Sequence, residues 1–143
     1  MHSIILSLPV ITLTAYAAWT DVKTKEIDDW VSAVILIYGI ILNAALNSAR
    51  FTESTAYALF VFAVLFVIYI ITNSALGGGD IKLLTSLAFV FGRDIMFLLF
   101  TAGIIGTLYG ILKGFKDKTY LRTETVFAPS IFAAVVLTLI FTL

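Results

Sequence analysis

The chain has 143 residues, 61% of them hydrophobic and 13% charged, against roughly half and a quarter in a soluble domain; with a mean hydropathy of +1.08 it reads as a small membrane protein. Formal net charge is zero, which gives no electrostatic reason for a nucleic-acid partner. There is no cysteine and one histidine, His2, so disulfides, thiol catalysis, zinc clusters and HExxH hydrolysis drop out; no metal and no cofactor are expected, and carboxylates, lysines and hydroxyls remain for chemistry.

A membrane-spanning helix needs roughly 20 mainly apolar residues. The first such run goes from Ser3 to Trp19. Pro9 inside it is tolerable where neighbouring helices re-satisfy the freed carbonyl. Ala15-Tyr16-Ala17 offers a competing signal-peptide reading, but no Lys or Arg precedes the apolar run. Thr20 to Asp29 follows, the most charged stretch of the chain. The second run is Trp30 to Leu46, closed by Asn47-Ser48-Ala49-Arg50. The third is Ser54 to Thr72, ended by Asn73-Ser74 and a glycine run. The fourth, Asp80 to Phe91, is short for a span: either a half-depth helix or one extended by the glycines. Gly92-Arg93-Asp94 separates it from the fifth, Ile95 to Leu112, whose Gly103, Gly106 and Gly110 suit close helix packing. A polar stretch from Lys113 to Thr125 leads to the sixth run, Val126 to Leu143. The expected fold is all-α and polytopic, with about six transmembrane helices in one membrane-embedded domain over residues 1–143.

Positive charge orients it. Alternate connections carry Lys23, Lys25, Lys82, Lys113, Lys116, Lys118 and Arg122; the others carry only Arg50 and Arg93. The excess belongs on the cytoplasmic side, which leaves both termini outside and locates the protein in the plasma membrane. Trp19 and Trp30 flank the first connection as interface residues.

Two carboxylates stand out. Asp80 follows Gly77-Gly78-Gly79 at the start of an apolar run, and a carboxylate there is costly unless it has a function. Three successive glycines are costly too unless the backbone needs them. Asp21 ends the first run. An even number of crossings separates the two, so they share the cytoplasmic face. Paired carboxylates a few ångströms apart cannot easily both ionise, and the shared proton gives general acid–base chemistry. Such a pair titrates as one unit, so neither aspartate is assigned as acid or base. The plainer reading makes both aspartates solvated helix-end residues, Asp80 favoured by its helix dipole. A third makes them relay carboxylates of a proton- or cation-coupled transporter, although transporter sites usually lie near the midplane.

Gly77-Gly78-Gly79-Asp80 fits the GxGD pattern of membrane aspartyl proteases, and Gly-Gly-Gly-Asp-Ile-Lys-Leu-Leu resembles the second catalytic motif of the type IV prepilin leader peptidase family. Asp21-Val22-Lys23, with Ile27 beyond it, is similar to that family's first motif. Phe127-Ala128-Pro129-Ser130-Ile131 resembles the segment opening the family's last helix. Asp28-Asp29 stands where the family usually has Pro-Asn, and the cysteine-bearing insert of its methylating members is absent. The resemblance implies a small, peptidase-only aspartic endopeptidase with Asp21 and Asp80 catalytic and Gly77, Gly79, Lys23 and Lys82 as supporting motif residues. It would cut the basic leader from pilin- or flagellin-type precursors at the cytoplasmic membrane surface. Glu26, Asp28 and Asp29 form an acidic patch that suits a Lys/Arg-rich leader. An ordinary solvated loop explains that patch equally well. Lys23 and Lys82 also read as lysines snorkelling to headgroups.

Overall fold

The computed structural model of the protein describes residues 4–72, 77–117 and 126–142. Among these residues it is all-helical: α1 (Ile4–Thr24), α2 (Asp29–Leu46), α3 (Ser48–Ile71), α4 (Gly78–Phe91), a 3-10 turn (Gly92–Asp94), α5 (Ile95–Asp117) and α6 (Ala128–Thr142). Each apolar run became one helix, but several helices outlast their runs. α1 continues to Thr24 through the charged stretch expected as a connection. The Thr20 and Thr24 hydroxyls donate to the carbonyls of Tyr16 and Thr20, one turn back. Lys25, at φ 56°, then ends the helix in the left-handed region, its N–H donating to the Asp21 carbonyl at 2.9 Å. That bond is the one a left-handed cap makes, here carried by a residue that is not glycine at a cost of roughly 1–2 kcal/mol.

α3 starts at Ser48 because Asn47 caps it, its side chain accepting the Ala49 N–H at 3.0 Å; the connection expected over residues 47–50 shrinks to one residue. α5 runs on to Asp117 and takes Lys113 and Lys116 into the helix. Lys118, Arg122 and the Asn73-Ser74 stop signal lie outside the described residues.

The contacts fall into two compact units, Glu26–Met96 and Met1–Lys25 with Phe97–Leu143. In the first, α4 packs against α2 and α3. Its buried residues, among them Ile81, Leu83, Leu84 and Leu87, point in every direction, as expected of a central helix. α2 and α4 run parallel: Lys82 meets Asp29 at their starts, and farther along a Cβ at Gly39 would lie 3.0 Å from Val90 Cγ2. α3 runs the other way, since Phe51 near its start stacks edge-on against Phe89 near the end of α4. Gly92, at φ +54° with Ser54 Oγ 3.2 Å from where its Cβ would be, ends α4. α4 thus begins at the glycines rather than at Asp80, as a 14-residue helix of about 21 Å.

Asn43 ties this unit together. It is 0% exposed, and its amide donates to the Gly39 carbonyl at 2.9 Å and to the Phe89 carbonyl of α4 at 2.6 Å. Phe89 lies in the last turn of α4, where carbonyls lack helical partners. Asn43→Ala is expected to destabilise the protein by about 1–2 kcal/mol, seen as a lower thermal unfolding midpoint in detergent; an unchanged midpoint would show that the clamp contributes nothing.

In the second unit α1 packs on α6, antiparallel, because the end of α1 meets the beginning of α6 at the Ala128 N–H to Asp21 hydrogen bond. Val10, Thr14, Ala17 and Asp21 are buried along one face of α1, and Ala128, Ile131, Ala134 and Val135 along α6. The buried hydroxyls of Thr14 and Thr138 are satisfied by the Val10 and Ala134 carbonyls. A Cβ on Gly106 would fall on the Phe127 ring, whereas one on Gly103 would meet nothing within 4 Å among the described residues. Gly106 is therefore a notch for an aromatic side chain, and Gly103 faces open space among the described residues.

Among the described residues two helical stretches, Ser48–Ile71 and Gly78–Lys116, are long and apolar enough to cross a membrane. The surface of α3 is apolar: among its described residues Ser54, Ala58 and Val61 are buried, while Leu59, Phe60, Phe66 and Ile71 are exposed.

Candidate active site

Asp21 is not a solvated helix end. It is 7% exposed, and its Oδ2 accepts the Ala128 N–H at 2.9 Å. Ala128 is the first residue of α6, and a helix's first N–H groups have no partner within it. Asp21 therefore caps α6 from another helix, with the positive end of the α6 dipole facing its charge. Burial is the stronger influence on its acidity and raises its pKa above the usual 3.8; the Ala128 and Phe127 N–H groups pull the other way. The outcome is a carboxyl that holds its proton more tightly than an exposed aspartate, at the end of a helix and beyond its apolar run.

Asp80 sits in the first turn of α4, where its own N–H donates to the Gly77 carbonyl at 3.1 Å. It is half-buried. The glycines before it divide their work. A Cβ at Gly77 would come within 3.0 Å of Asp80 Oδ2, and one at Gly79 within 3.1 Å of Ile27 Cβ; at Gly78 the space is open. Gly77 thus leaves room for the carboxylate, and Gly79 for a residue of the first connection. Side chains would crowd both places, which is a physical reason for a G-x-G-D spacing.

The supporting lysines are engaged elsewhere than with the aspartates two residues before them. Lys82 Nζ contacts both oxygens of Asp29 at 2.8 Å, an exposed pair that contributes at most about 1 kcal/mol. Lys23 lies over the Trp19 ring, 4.0 Å from its centroid, a cation–π contact of about 0.5–1 kcal/mol at such a site. Glu26 and Asp28 are exposed at the end of α1 and the start of α2. Of the three acids expected in a patch, Asp29 is thus neutralised by Lys82. Among the described residues no group of three or more His, Cys, Asp or Glu could hold a metal ion.

Within the Glu26–Met96 unit, Ile27 lies against Gly79 and Asp29 pairs with Lys82. The sequence profile of the type IV leader peptidase family matches residues 8–111. The chain belongs to the type IV leader peptidase family. A prepilin leader peptidase/N-methyltransferase of Bacillus subtilis (strain 168) is 38% identical over 77 residues, which is 53% of this chain and 31% of that protein. The chain thus aligns with under a third of that relative's length. No solved structure matches it. In this leader peptidase family member the family match includes Asp21 and Asp80 and ends before Phe127-Ala128-Pro129. That last segment has a plain physical task here: it supplies the N–H groups that hold Asp21. Sequence reasoning did not find this pairing, because backbone donors leave no trace in residue identity.

Proposed function

We propose that the protein is a membrane-embedded aspartic endopeptidase that removes the basic leader of prepilin-like precursors at the cytoplasmic face of the plasma membrane. The observation that carries this reading is the family match over both aspartate motifs. Asp21 and Asp80 act as a pair sharing one proton. The charged member takes a proton from water, which attacks the scissile carbonyl; the protonated member donates a hydrogen bond to that carbonyl and then protonates the leaving amine. The pair titrates as one unit, and the burial of Asp21 helps to keep the shared proton in place. Ile27 packs on Gly79, the neighbour of Asp80, within the Glu26–Met96 unit.

Six crossings with both termini outside agree with the helix directions within each unit: α2 and α4 parallel, α3 opposed, α1 and α6 antiparallel. The substrate's apolar helix would lie in the bilayer and its Lys/Arg-rich leader in the cytoplasm beside Glu26 and Asp28. A peptidase without N-methylation follows from the lack of cysteine where methylating relatives carry their insert. Co-expression with a substrate bearing a basic leader before an apolar helix tests the reading. Cleavage is expected, and replacing the leader lysines and arginines by glutamine should slow it several-fold, since rim charges mainly affect encounter. Equal cutting of basic and neutral leaders would remove the electrostatic part of the proposal, and no cutting of either would remove the whole.

A further inference from the structure

Between Trp30 and Leu112 the chain has only six charged residues: Arg50, Glu53, Asp80, Lys82, Arg93 and Asp94. Asp80 and Lys82 belong to the start of α4. The other four come from two places far apart in sequence, yet they line one cavity of about 350 Å³ at the opposite end of α4, together with Ser54 and Gly92. Two cations and two anions there are not ion-paired with one another, within the described residues. Charges of opposite sign that share a cavity without pairing leave donors and acceptors for a ligand that carries both signs. Gly92 shapes the floor, its left-handed backbone bare of a side chain beside Ser54. Directly along α3 the exposed surface turns apolar, with Leu59 and Phe60.

We propose that this cavity binds the phosphate–ammonium headgroup of a phosphatidylethanolamine-type lipid. The phosphate sits between the Arg50 and Arg93 guanidiniums, which suit its oxygens in a forked geometry. The primary ammonium, a donor of three hydrogen bonds, faces Glu53 and Asp94, and the acyl chains follow the apolar flank of α3. The lipid then bridges the start of α3 and the turn after α4, on the membrane face away from Asp80. The proposal rests on the membrane placement above but not on peptidase activity, so cleavage and lipid binding fail separately.

Native mass spectrometry of the full chain from nanodiscs holding equal phosphatidylethanolamine, phosphatidylcholine and phosphatidylglycerol tests it. Phosphatidylethanolamine should be retained selectively, because choline has no N–H to donate and glycerol no positive charge. Arg50→Ala or Arg93→Ala should each lower its retention roughly tenfold, the loss of one charge-assisted contact. Glu53→Gln with Asp94→Asn, which leaves size and fold unchanged, should abolish the preference over phosphatidylcholine. Equal or greater retention of phosphatidylglycerol, or no effect of the Gln/Asn pair, would make this a simple anion site and overturn the assignment. Displacement of the lipid by equimolar soluble phosphoethanolamine would identify a soluble ligand and overturn the lipid reading. Retention of all three lipids alike would overturn both.

Discussion

Asp21→Asn is expected to lower leader cleavage about 10²–10⁴-fold, the range for loss of a general acid or base, with little change in folding. Asparagine has the same shape, and its side-chain oxygen can still accept the Ala128 N–H that Asp21 accepts at 2.9 Å; what it cannot do is hold or release a proton. Asp21→Ala should match it in lost activity but also lose about 1–3 kcal/mol of stability, because the buried Ala128 N–H is left without an acceptor. The two variants separate the chemical task of Asp21 from its capping of α6. A pH series adds a second check. The folded-state pKa of Asp21 is raised above 3.8 by burial, so folding binds its proton more tightly. The stability this contributes is full below the unfolded value of about 3.9 and is lost as pH rises through the raised folded value. The wild type should therefore lose stability relative to Asp21→Asn across that window, read from unfolding midpoints. A constant difference would mean that Asp21 does not titrate differently in the folded protein.

Gly77→Ala is expected to reduce kcat by roughly 10- to 100-fold with an unchanged unfolding midpoint. The added methyl would stand 3.0 Å from Asp80 Oδ2, so the carboxylate must give way by a few tenths of an ångström or more. Side-chain rotation achieves this at little energetic expense, which is why stability holds. Catalysis does not forgive it: misplacing a reacting group by about 1 Å costs on the order of 10²-fold. Gly78→Ala, where a Cβ meets nothing within 4 Å, is the matched control and should retain near-normal activity. Equal losses at the two positions would show that the glycines serve backbone freedom rather than room for the carboxylate.

The six α-helices of the described residues were legible because each follows an apolar run of helical length. Their ends were not. α1 runs past Trp19 to the bond between the Lys25 N–H and the Asp21 carbonyl, and the Asn47 cap began α3 early; an apolar count sees neither. Asp80 was legible from its glycines, although the reason for Gly79 needed Ile27, which lies 52 residues earlier in the sequence (79 − 27). Asn43 was not singled out within its apolar run, because its partner on α4 is a backbone carbonyl that residue identity does not show. Lys82 was read beside Asp80, but α2 and α4 run parallel and bring Asp29 to it. The convergence of Arg50 and Arg93 on one cavity likewise depends on α3 lying opposed to α4, which residue spacing does not state.

The most direct test of the central claim is the rate of leader removal from a purified prepilin-like substrate by wild type, Asp21→Asn and Asp80→Asn, each first shown to be folded at the assay temperature. The account predicts cleavage by wild type and loss of about 10²-fold or more in each variant, because both carboxylates are needed to share and move one proton. Cleavage at the wild-type rate by either variant would contradict the pair and leave that aspartate a structural residue.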